Sequence, residues 1–108
     1  MKTRQRAVVI DFPSLAWAKV EGGGAAGRAK RTSVKGGRSA GILELSPRWN
    51  ETDWCIKAHV GYVISGRLRL EFARQAPMQI GRDMGFWIPS GCAHKASCKR
   101  TTSLFVVD

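Results

Sequence analysis

Acidic side chains are scarce in this sequence. It has 8 Asp and Glu against 18 Lys and Arg in 108 residues, a formal net charge of +10. Such a surplus points to anionic partners (nucleic acid, a membrane surface or small anions) without choosing among them. Cysteine is sparse and odd in number: Cys55, Cys92 and Cys98. An odd count with no secretory signal argues against a disulfide framework. Long apolar runs are missing as well, and none approaches the roughly 20 residues of a membrane span. The N-terminus is basic and Ala16-Trp17-Ala18 has a small-x-small pattern, but Asp11 and Pro13 cut the apolar run too short for a signal peptide. A soluble, reducing, cytoplasmic setting is therefore expected. No segment shows a helical period over ten or more residues, no internal repeat is visible, and no carboxylate–His or Ser–His arrangement suggests a hydrolase.

What is present is punctuation typical of an all-β chain. Residues 1–108 are one domain by length. Ala7 to Phe12 is a short apolar run ended by Pro13, and Gly22 to Ala26 reads as a flexible break. From there to Gly41 the composition suggests a long loop or a weak edge strand. This stretch holds the densest basic group, residues 28–38, with no aromatic side chain interleaved. It reads as a solvated loop or an anion patch. Short strands are expected at 42–45, 67–72, 78–80, 85–88, 94–97 and 103–107, separated by Gly and Pro. Many short strands with frequent turns mean a sandwich or barrel.

Residues 53–65 read as one long strand with two unlike faces. Trp54, Ile56, Ala58, Val60, Tyr62 and Ile64 alternate with Asp53, Cys55, Lys57, His59, Gly61, Val63 and Ser65. Either the apolar face is buried and the polar face is in water, or the polar face lines a cavity and the apolar row needs another cover.

Two segments bear on that choice. His59-Val-Gly-Tyr-Val-Ile-Ser-Gly66 and Ile88-Pro-Ser-Gly-Cys-Ala-His94 together resemble the two motifs of the cupin superfamily. Motif 1 falls at about 53–66 and motif 2 at about 83–98. Pro89, Gly91 and His94 match the centre of the second, and Gly66 the terminal glycine of the first. The usual Glu of motif 1 is His59 here, its two histidines are Cys55 and Asp53, and the glycine opening motif 2 is Asp83. Asp tolerates the left-handed geometry glycine supplies, so that turn can survive. The resemblance implies a cupin-type jelly-roll β-barrel, with 53–65 and 84–98 as opposite walls and residues 53, 55 and 59 facing inward.

On that footing Cys55, His59 and His94 are the candidate metal ligands. Asp53, Lys57 and Cys98 are further candidates for the pocket. A thiolate with two imidazoles suits a first-row divalent ion: Zn, Fe, Ni, Cu or Mn. Cupin-like barrels without metal stand as an equal alternative. The expected function is binding of, or action on, a small and perhaps anionic molecule. The rival is a metal-free, non-catalytic binding or sensory module. Nucleic acid is a weaker third reading, and no membrane partner is expected. If the polar face looks inward, the apolar row looks outward, and a homodimer is expected to cover it.

Overall fold

The computed structural model describes residues 6–34 and 36–108. The architecture is all-β, a jelly roll of two antiparallel sheets. The strands are β1 (Ala18–Lys19), β2 (Gly27–Val34), β3 (Arg38–Leu45), β4 (His59–Ser65), β5 (Arg67–Phe72), β6 (Met78–Gly81), β7 (Gly85–Ile88), β8 (His94–Ser97) and β9 (Thr102–Val107). The larger sheet runs β1-β2-β3-β9-β4-β7 and the smaller β6-β5-β8. A single 3-10 turn at Phe12–Ser14 is the one helical element among the described residues.

The core lies between the sheets. Leu68, Leu70 and Phe72 alternate inward along β5 while Arg67, Arg69 and Glu71 point out, the pleat of a half-buried strand. They meet Leu45, Val63, Ile88 and Leu104 of the large sheet, and Trp49 from the loop after β3. Gly66 turns the chain from β4 to β5 at φ 84°, where an added Cβ would lie 2.4 Å from the Thr101 carbonyl oxygen. Asp83 holds its turn at φ 66°, as a tolerant residue can.

Several expectations change. The stretch up to Gly41 takes the strand alternative and not the loop, and the strand expected at 42–45 begins earlier: β2 and β3, eight residues each, pair as a hairpin. Basic residues alternate there with small ones, so one face carries charge to water while Gly27 and Ala29 pack inward. Gly22 to Ala26 is not a loose break either. The backbone of Gly23 is pressed against the Trp49 ring, where a Cβ would lie 2.1 Å from a ring carbon. The Ala7–Phe12 run forms no strand over its described length. Finally, residues 53–65 are strand only from His59. The chain bends at Asp53 and Lys57, and a lone bridge between Cys55 and His94 ties this segment to the small sheet. Likewise 84–98 is not one wall, since β7 lies beside β4 in the large sheet and β8 belongs to the small one.

Candidate metal centre

Three elements bring the site together. Cys55 and His94 exchange both backbone hydrogen bonds, 2.9 and 3.0 Å, so they form a hydrogen-bonded antiparallel pair with side chains on one side. His59 reaches the same point from the large sheet. It lies on the inward face of β4, opposite Ile88 of β7. The bend at Lys57 lets the chain cross from one sheet to the other between the two ligands. The nitrogens of His59 and His94 and the Cys55 sulfur lie within 4.8 Å of one another. The Cys55 Sγ to His59 Nε2 distance is 3.5 Å, and the two imidazoles meet edge to face at 5.1 Å.

The hydrogen bonds fix the tautomers. His94 Nδ1 is 2.8 Å from the Cys92 carbonyl oxygen, which can only accept, so Nδ1 carries the proton. His59 Nδ1 lies 2.5 Å from Asp108 Oδ1, and an ionised carboxylate accepts there too. With both Nδ1 atoms so engaged, Nε2 is the nitrogen of each ring left to act as a metal donor. Asp108 is held in turn, its Oδ2 accepting from the Ser39 hydroxyl at 3.3 Å. This carboxylate–His arrangement is the kind that orients metal-ligating imidazoles. His94 is buried, and His59 and Cys55 are half-buried. Bonds of about 2.0–2.3 Å would place tetrahedral donors about 3–4 Å apart; the Cys55–His59 pair at 3.5 Å is in that range, and the widest separation, up to 4.8 Å, would have to close. The donor set fits a divalent transition ion with a coordination position left over.

The donors open on a cavity of about 270 Å³. Its walls are largely apolar, with Leu43, Phe86, Ile88 and Val106 among them, and Lys57, Arg31, Glu51 and Asp108 add charge. Glu51 is already engaged: Oε2 accepts from the Trp49 indole at 3.2 Å and Oε1 from the Ala96 amide at 2.9 Å. Lys57 lines the cavity with an exposed side chain.

Two pocket candidates lie elsewhere. Asp53 is exposed and outside the cavity wall, because the chain bends there and its alternation with Cys55 is lost. Cys98 lies past the end of β8, where alternation with His94 stops. Its thiol donates to the Ser46 carbonyl at 3.3 Å, and burial pushes its pKa up. It borders an open basic groove, with Arg48, Arg67, Arg69, Lys99 and Arg100, rather than the metal cavity.

Asp108 and Ser39 escaped the sequence reading, and Arg31 entered it only as one of the basic group at 28–38. Alternation along the last strand was the available signal for Asp108, since Leu104 and Val106 point inward and the next residue of that parity is Asp108. The register that sets it beside His59 was not available.

No protein-family model matches the sequence, and no curated protein matches it significantly. Solved structures do. An RmlC-like cupin from Shewanella frigidimarina superposes with a TM-score of 0.76 at 13% identity, over 97% of this chain and 92% of that one. The EutQ protein of Clostridium difficile gives 0.72 at 15%, over 92% and 83%. An E162A mutant of Bacillus subtilis oxalate decarboxylase gives 0.70 at 19%, over 94% of this chain but 30% of that one. At these identities the likeness establishes a shared fold.

Proposed function

We propose that this chain of cupin fold acts over residues 1–108 as one domain that holds a divalent transition metal on Cys55 Sγ, His59 Nε2 and His94 Nε2, and uses it on a small molecule in the adjoining cavity. The observation that carries the reading is the pair of engaged Nδ1 atoms, which leaves Nε2 of both rings for a ligand role, with one donor atom from each of the three residues within 4.8 Å of the others. The sulfur donor favours Zn, Fe, Ni, Cu or Mn over magnesium and calcium. When bound, the ion would supply Lewis acidity or oxygen activation at its open position.

The chain's own residues have distinct parts. Asp108 holds the His59 ring and raises its basicity through the shared proton. The Cys92 carbonyl does the same for His94. Leu43, Phe86, Ile88 and Val106 exclude water from the donors and accommodate the apolar part of a ligand. Lys57 adds a positive charge that favours anionic molecules. Elemental analysis of protein purified without chelator tests the reading. About one transition-metal ion per chain is expected, falling to a trace in His94→Ala. Equal, negligible content in both proteins would overturn it.

A second reading has its own support. Cys55 and His59 already contact each other at 3.5 Å, so a metal-free cavity that only binds its ligand is a satisfied arrangement. A metal-free protein that still titrates with a small ligand would favour it. The chain is further proposed to form a homodimer through the outer face of β4 and β7. Among the described residues no helix is long and apolar enough to cross a membrane.

A further inference from the structure

Cross-strand pairing lays the inward face of the large sheet out in rows. One row is Ile88 and His59, followed by Asp108 and Ser39, which exchange backbone hydrogen bonds. The next is Phe86, Gly61, Val106, Gly41 and Arg31, taken across β7, β4, β9, β3 and β2. Both glycines in this row make room for a neighbour. A Cβ at Gly61 would lie 2.2 Å from Phe86 Cζ, and one at Gly41 would lie 2.9 Å from Arg31 Cγ and 3.7 Å from Cδ. The Arg31 stem thus lies across Gly41, and Arg31 joins the cavity wall one row from the His59–Asp108 pair. Arg28 and Lys30, of opposite parity, stack on Trp17 outside the sheet.

Arg31 is exposed at the edge of the cavity. Among the described residues its guanidinium has no ion pair or side-chain hydrogen bond. The two carboxylates that line the cavity are both engaged: Glu51 with Trp49 and Ala96, Asp108 with His59 and Ser39. An arginine fork matches a planar carboxylate in two parallel hydrogen bonds. The cavity's roughly 270 Å³ falls just below the range typical of drug-sized ligands.

We infer that Arg31 anchors the carboxylate of a small acid whose body lies against Phe86 and Val106 toward the metal donors. This rests on the cavity being the ligand site proposed above. Acetate, pyruvate and benzoate, each beside its neutral amide, are titrated by NMR into metal-free and cobalt(II)-loaded protein. The wild type should bind at least one acid in preference to its amide. Arg31→Gln should weaken that acid about ten- to hundredfold, as expected for loss of a charged hydrogen-bonded pair. Arg31→Lys should lie between, and Gly41→Ala, by displacing the stem, should weaken it too. Lys57→Gln removes the same charge and should cost less than Arg31→Gln. The inference is overturned if no acid binds, if amides bind as well as acids, if Arg31→Gln binds like wild type, or if Arg31→Gln and Lys57→Gln lose equally. Cobalt uptake, read from thiolate-to-metal absorption, should survive Arg31→Gln. Its failure in the wild type would overturn the metal centre and leave the metal-free titration to decide Arg31.

Discussion

Asp108 determines which nitrogen of His59 faces the cavity. Replacing it with Asn keeps the shape but lets the amide donate as well as accept, so the tautomer is no longer fixed. Asp108→Asn should weaken zinc binding about 10–100-fold, the usual range for losing such an outer partner. Competition with a chromophoric chelator measures it. Wild-type affinity in the variant would mean that the His59–Asp108 contact only ties β4 to the chain after β9. The three cysteines should also separate by environment. Cys98 is 6% exposed, hydrogen-bonded, and its thiol is pushed up by burial. Iodoacetamide should therefore alkylate Cys55 and Cys92 in metal-free protein well before Cys98, because the thiolate is the nucleophile. Mass spectrometry of digests reads the order. Early modification of Cys98 would mean that the end of β8 opens readily.

Among the elements, the glycine-rich segment before β2 is where composition misled most. Three consecutive glycines suggest slack, yet Gly23 and Gly27 both face Trp49, whose ring is 1% exposed. The Asn50 amide also donates to the Gly23 carbonyl at 2.8 Å. A Cβ at Gly23 would collide with a ring that has nowhere to move. Gly23→Ala should cost at least the 1–3 kcal/mol typical of overpacking, read as a lower urea midpoint with unchanged slope. A change within experimental error would show that the ring can shift. Only the end of the β2–β3 hairpin at 42–45 was legible: residues 27–41 are almost all small or basic, and their strand character comes from pairing with β9 through β3 rather than from apolar alternation. By contrast β5 to β9 were legible, because Leu68, Leu70 and Phe72 alternate cleanly and Gly or Pro punctuate the rest. The convergence of Cys55, His59 and His94 was legible through the motif resemblance. The expected long strand through Cys55 was not, since a single pair of hydrogen bonds to His94 takes the place of a ladder. Arg31 was read only as one of the basic group at 28–38, because what singles it out is a glycine in the neighbouring strand.

For the molecule as a whole, the open question is the outer face of the large sheet. The N-terminal segment covers part of it: Phe12 meets Phe105 edge to face at 6.0 Å, and Phe105 pairs with Tyr62 in the ladder. Beyond that the cover stops among the described residues. Val60, Tyr62, Ile64 and Trp87 remain 52%, 44%, 40% and 69% exposed. At about 1.5–3 kcal/mol for full burial of such a side chain, the exposed half of these four represents about 3–6 kcal/mol per protomer, about 6–12 kcal/mol for a pair. That exceeds the lower estimates of association cost, about 4 kcal/mol. A second copy presenting the same row is a self-complementary occupant, as a two-fold interface requires. Light scattering after size exclusion at micromolar concentration should give twice the 11.9 kDa chain mass. Tyr62 lies at the middle of the row, its hydroxyl donating to Asp83 at 2.8 Å. Tyr62→Lys should yield a soluble monomer that still takes up zinc, because Tyr62 and His59 lie on opposite faces of β4. If that variant fails to fold, Trp87→Ser reports instead, as its side chain is the most exposed of the four. A wild-type monomer would remove the dimer and leave the row to some other cover.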